Sequence, residues 1–224
     1  MGRIILLRHG QTYSNLQRIL DTRPPGAELT DLGREQATTV GLELAELCGI
    51  GHGNFGRIST LISSIAIRAQ QTAVHVAASL ERAASLPKDS MHIDVRTGIH
   101  EISAGELQGA QGEEAAALYT DAFRGWLDGD ADARLDSGEN YLEVLERYQP
   151  VLESVVADLG EDEDAIVVSH GAAIRVVSTH ACGVDPDFAF GAYLPNCRFV
   201  ILNPQDKPFG QWKVERWADS AVQL

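Results

Sequence analysis

The sequence predicts an α/β fold, and two observations carry that prediction. Short β-branched apolar runs alternate with segments of helical periodicity along the whole chain. No internal repeat and no linker interrupts the alternation. Strands separated by helices favour a mostly parallel sheet covered on both faces, a three-layer α/β/α sandwich. At 224 residues the chain fits one domain, 1–224, long enough to bury a sizeable core.

Arg3–Leu7 is too apolar and too short for anything but a buried strand. Leu29 to Cys48 places Leu32, Ala37, Val40, Leu44 and Leu47 at helical spacing, with Thr30 where an N-cap belongs. Arg57–Ile62 reads as the next strand, Ala66–Leu80 as a helix and His92–Val95 as a short strand. Gly98–Gly112 is glycine-rich and reads as a loop. Glu113–Leu127 and Glu139–Leu159 are predicted helices. Ala165–Ser169 is a strand as apolar as the first, followed by a helix from Ala172 to Cys182. Arg198–Leu202 and Trp212–Arg216 complete the sheet. The acidic stretches Asp128–Asp136 and Glu161–Asp164 read as solvated loops without chemistry.

Composition narrows the function. Lys plus Arg is 18 against 32 Asp plus Glu, a formal charge of −14. So acidic a chain is a poor ligand for nucleic acid or an anionic membrane surface. An anionic substrate would need a local basic pocket acting against the global field. No apolar run reaches the ~20 residues that span a bilayer, and no signal-like segment opens the sequence. Gly2 lacks the downstream Ser or Thr of a myristoylation site, since position 6 is Leu6. Cys48, Cys182 and Cys197 are odd in number and show no CxxC spacing, so reduced, packed thiols in a cytoplasmic protein are expected rather than disulfides or zinc. Nothing in the sequence requires or excludes a homodimer.

Two places break pattern in the same way. Arg8-His9-Gly10 follows the first strand and Ser169-His170-Gly171 follows the strand at Ala165–Ser169. Ligands of open α/β sheets bind beyond the carboxyl ends of strands. The two histidines would face one another if their strands are neighbours. Each glycine would allow close backbone approach to a ligand. The residues beside the histidines are arginine, serine and glycine, which suit an anion rather than a metal. Arg68, just after the serines of Ser63-Ser64, would bring a second guanidinium to the same edge, and guanidinium forks match phosphate oxygens.

LLRHGQT with Asn15, ELTDLGREQA, SSIAIRAQQTA, HEISAGELQG and VVSHG together resemble the ordered motifs of the histidine phosphatase superfamily, also called phosphoglycerate mutase-like. Asn196 falls where a late asparagine is usual. The resemblance implies that fold, with no cofactor and no metal. It implies that His9 takes the phosphoryl group, that Arg8, Arg68 and His170 hold it, and that Asn15 adds a contact. It also implies that Glu101 serves as proton donor and then base, with Glu106 a weaker competitor. Gln11 and Gly171 would belong to the pocket wall. Arg23, in the rigid loop Arg23-Pro24-Pro25-Gly26, and His100, beside Glu101, are further places where an anionic substrate could be read.

The chemistry asks for neutral His9, because a protonated nitrogen has no lone pair, and nearby arginines favour that form. A bound dianion would pull His170 the other way, and a charged His170 would be a third donor to the phosphoryl oxygens. The expected reaction is hydrolysis of small phosphorylated metabolites. The alternatives are mutase-type transfer and a non-catalytic phospho-ligand sensor. A mutase needs a second basic subsite, whereas Lys88, Lys207 and Lys213 are the only lysines and all lie outside the motifs. This chain departs from the family pattern at Ile65-Ala66, Ala104, Leu107 and Ser137-Gly138-Glu139-Asn140.

Overall fold

The structure is a computed structural model that describes residues 2–220. Its sheet has six strands: β1 (Arg3–Arg8), β2 (Ile58–Ser64), β3 (Ile93–Arg96), β4 (Asp164–Ser169), β5 (Phe199–Asn203) and β6 (Lys213–Trp217). They lie in the order β3-β2-β4-β1-β5-β6. β3, β2, β4 and β1 run parallel, and β5 is antiparallel to both of its neighbours. One strand in six therefore runs against the rest, as a mostly parallel sheet requires.

Seven helices surround it among the described residues: α1 (Tyr13–Gln17), α2 (Asp31–Leu47), α3 (Ile67–Ala84), α4 (Glu113–Asp128), α5 (Tyr141–Asp158), α6 (Gly171–Cys182) and α7 (Pro186–Gly191). Strand side chains alternate between faces. Ile5, Leu7, Ile166 and Val168 pack with α2 and α3, whereas Ile4, Leu6, Ala165 and Val167 pack with residues of α4 to α7. That is the predicted α/β/α layering. Ile4 to Leu7 are wholly buried, each stabilising the fold by about 1.5–3 kcal/mol.

Most boundaries fall within two or three residues of expectation. Thr30 caps α2 by accepting from the Gly33 N–H. The helix expected from Glu139 begins instead at Tyr141, because Asn140 is its N-cap in a reciprocal capping box with Glu143. α1 and α7 escape sequence reading, since five and six residues are too short to show a period. Asp164 corrects the acidic-loop reading. It opens β4 fully buried, gripped by Arg3 Nη2 at 2.7 Å and Arg57 Nε at 3.2 Å. Among the described residues, no helix is long and apolar enough to cross a membrane. All three cysteines are free, with Cys48 and Cys197 buried.

Candidate active site

The pairing of β1 with β4 sets Arg8 opposite Ser169, so both histidine-glycine corners leave the sheet side by side. The rings of His9 and His170 lie 5.3 Å apart between centroids, edge to face at 61°. Both are buried, at 4% and 0% exposure.

His9 Nδ1 lies 2.7 Å from the Gly10 carbonyl, which can only accept. The ring proton therefore sits on Nδ1, and Nε2 keeps its lone pair. Burial holds the imidazole well below the ordinary histidine value, and the Arg68 and Arg8 charges push it the same way. Asn196 donates to the His9 carbonyl at 3.0 Å and fixes the corner from β5's side.

Burial, then the Arg68 charge, hold His170 well below the ordinary histidine value, and the charged form expected of it belongs to the complex with a dianion. Arg68 Nε donates to its Nδ1 at 3.2 Å. Nε2 must then carry the proton, and it donates to Ser64 Oγ at 2.9 Å. In this state its ring orients Arg68.

The two arginines are only partly satisfied. Arg8 Nη1 donates to the Leu194 carbonyl at 2.6 Å and to the Tyr193 hydroxyl at 2.9 Å, but its buried Nε has no partner. Arg68 is 2% exposed, and its buried Nη1 also lacks a hydrogen-bond partner, with Asp21 3.9 Å away. Buried N–H groups without acceptors are rare and costly. Two of them beside an uncharged histidine pair describe a cradle for an anion.

Local structure explains how Arg68 is delivered despite Ile65-Ala66. Ala66 caps α3 without a side-chain bond, and the Ile67 N–H is caught instead by the Pro25 carbonyl at 2.9 Å. Gly26 is required there, because any Cβ would strike Arg68 Nη1. Gly171 likewise leaves room for Arg8, whose Nε would lie 3.0 Å from an added Cβ. Gly10 has another reason. A Cβ there would collide with the Gly33 carbonyl of α2, so this glycine serves helix packing and not a ligand.

Glu101 lies on the irregular segment before a single turn of 3₁₀ helix at Gly105–Leu107. Its carboxyl group accepts from the Ala172 and Ala173 N–H groups at 3.2 and 2.9 Å, at the start of α6 and two residues beyond His170. The start of a helix favours negative charge. Glu106 is exposed and makes no such contact.

The remaining residues divide. Asn15 Oδ1 is taken by the Thr12 N–H and by Asn196, and among the described residues nothing accepts from its Nδ2. Gln11 is not aimed at the pocket; its Oε1 accepts from Thr30 at the α2 cap. Arg23 is exposed and ties the loop to the Gly105 carbonyl at 3.2 Å. His100 keeps a buried Nδ1 without a partner, and burial followed by the Arg147 charge lowers its affinity for protons.

Sequence reading missed Tyr193, Tyr119 and Asp21. Tyr193 is exposed on the rim beside Arg8, whose guanidinium also lies 5.5 Å from its ring. Burial pushes the Tyr119 phenol above its ordinary range, and the Glu101 charge adds to that effect. Asp21 receives Ser14 Oγ and the Ala27 N–H and faces Arg68. None of the three carries a local signal. Residues 106–107, α4 and residues 132–136 line a separate groove of about 750 Å³ that carries Glu106, Asp121, Asp132, Asp136 and Arg134.

A family model of the histidine phosphatase superfamily (branch 1) matches residues 4–220. The chain belongs to this superfamily. Among its relatives, a glucosyl-3-phosphoglycerate phosphatase of Mycolicibacterium vanbaalenii is 28% identical, covering 98% of this chain and 95% of that protein. A probable phosphoglycerate mutase of Erwinia tasmaniensis is 27% identical, over 98% and 94%. The structure of a mycobacterial glucosyl-3-phosphoglycerate phosphatase complexed with VO3 superposes with a TM-score of 0.74 at 24% identity, covering 97% and 99%. A phosphoserine phosphatase of Entamoeba histolytica gives 0.73 at 21%, covering 98% of both chains. The histidine phosphatase motifs thus sit on the histidine phosphatase architecture along essentially the whole chain.

Proposed function

We propose that this protein is a metal-independent phosphomonoesterase that works through a phosphohistidine on His9, in one domain and in a reducing compartment such as the cytoplasm. The observation that carries the reading is the juxtaposition of an uncharged imidazole, its proton held on Nδ1 by the Gly10 carbonyl, with two buried guanidinium N–H groups that lack acceptors.

Nε2 of His9 attacks phosphorus and the ester P–O bond breaks. Charge on the equatorial oxygens is received by Arg8 Nε and Arg68 Nη1, donors fixed before substrate arrives. Such preorganisation is worth about 3–4 kcal/mol per donor. Glu101, entering the step as the carboxylic acid, gives its proton to the departing alkoxide and becomes the carboxylate that its two backbone donors favour. Water then attacks the phosphohistidine, and the Glu101 carboxylate takes the water's proton. Phosphate leaves and His9 is neutral again.

Mutase-type transfer requires cations for a second anionic group. Three arginines of the helical layer are already engaged, Arg134 with Gly138 and Glu143, Arg124 with Asp128 and Asp187, Arg175 with the carbonyls of Ala189 and Phe190, which leaves Arg23 as the exposed candidate. The groove along α4 carries four carboxylates. Hydrolysis therefore fits this site better.

Brief exposure to a labelled phosphomonoester should leave an acid-labile, base-stable phosphoryl group on the chain, absent from His9→Ala. Turnover should release inorganic phosphate and survive EDTA. Turnover without the label would defeat the phosphohistidine route, and phosphate passing only to an acceptor phosphoglycerate would favour the mutase. A panel of phosphometabolites ranked by kcat/KM would identify the substrate.

A further inference from the structure

Glu101 stands on a stretch without regular structure, yet a proton donor must be placed to within a fraction of an ångström. The Ala172 and Ala173 N–H groups hold its carboxyl end. Its backbone is held from another direction by one side chain of α5.

Arg147 Nη1 donates to the carbonyls of Gly98 at 2.6 Å and His100 at 2.9 Å, and Nη2 donates to that of Glu101 at 3.2 Å. The same guanidinium pairs with Glu139, Nε to Oε1 at 2.6 Å and Nη2 to Oε2 at 2.9 Å. Glu139 in turn accepts from the Ser103 N–H at 2.8 Å and donates its own N–H to the Ser103 carbonyl at 3.1 Å. Backbone on both sides of Glu101 is thus clamped to one ion pair.

Its members are 16% and 21% exposed. Burial works against the Glu139 charge, but the Arg147 hydrogen bonds and charge outweigh it and hold the carboxyl below its usual range. Gly138 is part of the same device, since a Cβ there would strike the Ser103 carbonyl. This accounts for the Ser137-Gly138-Glu139-Asn140 segment, which no step of the reaction uses.

We infer that the Arg147–Glu139 pair positions Glu101 for proton transfer to the leaving group. The inference rests on Glu101 being the proton donor. Arg147 and Glu139 touch no reacting atom, so they are positioning residues. Lysine cannot replace the arginine, because three carbonyls and a carboxylate together need the fork of five donors.

The test compares kcat/KM for glycerol 3-phosphate, whose alkoxide needs a proton, with para-nitrophenyl phosphate, whose leaving group does not. Glu101→Gln should lose ~10²–10⁴-fold on the first and far less on the second. Arg147→Lys should show the same split, losing about 10²-fold on the alkyl ester. Glu139→Gln, which keeps the guanidinium and removes its anchor, should lose about tenfold with the same split. Arg147→Lys combined with Glu101→Gln should match Glu101→Gln alone to within about twofold.

Equal losses on both esters in the Arg147 and Glu139 variants, or multiplicative losses in the double variant, would overturn the positioning role. If Arg147→Lys does not accumulate as folded protein, Glu139→Gln decides the matter. A Glu101→Gln variant without the split would instead remove the proton-donor reading beneath it.

Discussion

Arg3 and Arg8 open and close the same strand, and their guanidinium groups are treated in opposite ways. At the amino end, Arg3 meets Asp164 on the neighbouring strand through two hydrogen bonds, 2.9 and 2.7 Å, and Arg57 adds a second cation to the same buried carboxylate. Burial works against that carboxyl's charge, but the bonds to Arg3 and Arg57 outweigh it and hold it below its usual range. At the carboxyl end, Arg8 and Arg68 each keep a buried N–H with no acceptor, the Asp21 carboxylate stands 3.9 Å from Arg68 Nη1, and the two histidines beside them are held neutral by burial. One end of the sheet has balanced charge, and the other has positive charge waiting for a partner. Matched buried charge indicates a structural clamp; unmatched buried cations indicate the place where an anion binds.

The comparison is broken most severely at the carboxyl end. His9→Ala should lower turnover by at least ~10⁴-fold, since no other group can supply the attacking lone pair. Steady-state phosphate release measures this. Arg68→Met removes one unpaired donor and should cost about 10²–10³-fold in kcat. Its thermal midpoint should stay within about 2–4 °C of the parent, because removing a buried charge offsets the loss of the bond to His170 and of the cation facing Asp21. A fall in both activity and midpoint would place Arg68 with Arg3, as part of the scaffold.

Asp164→Asn is the mirror experiment. It removes the buried carboxylate that Arg3 and Arg57 share, leaving them the more exposed Glu215 and Asp162, and should destabilise the fold by about 3 kcal/mol. For a chain of this size that is a fall of about 6–12 °C in the midpoint. Turnover per folded molecule should barely change. A selective loss of kcat with an unchanged midpoint would contradict the division between the two ends.

How much of this was legible follows from the range of each interaction. His9, Arg8, His170 and Gly171 are marked locally by apolar strands that end in histidine-glycine, and the α/β alternation makes the strands candidates for adjacency. Arg68 is marked by its place at a strand-to-helix turn. Asp164 was misread because its neighbours Glu161, Asp162 and Glu163 make a run that composition assigns to solvent. Its partners lie 161 and 107 residues away. Arg147 drew no reading, because three of its acceptors are backbone carbonyls, which leave no trace in side-chain identity, and Glu139 lies outside the spacing of a helical ion pair.

Burial also sets the most gradual of the expected effects, spread over a range of pH and belonging to both ends at once. His9 and His170 are neutral in the fold and titrate below the ordinary histidine value of about 6.5. As pH falls below that value the unfolded chain takes up protons that the folded chain refuses. Stability should therefore decline by about 1.4 kcal/mol per pH unit for each such imidazole, until the folded pKa is reached. Above the ordinary value the full stability is present. Catalysis runs on a different clock: kcat/KM needs neutral His9 in the folded enzyme, so it should stay level through the window in which stability is already falling. The Asp164 clamp enters only later, in the more acid range of a depressed carboxyl, where its contribution is lost as pH falls through its folded value. Denaturant midpoints measured beside kcat/KM from neutral pH downwards separate the two, and His9→Ala should show a shallower decline in stability than the parent. An acid limb in kcat/KM at the ordinary histidine value would mean that His9 is solvated and free to charge, and the anion cradle would then lack the dry, uncharged imidazole on which its chemistry depends.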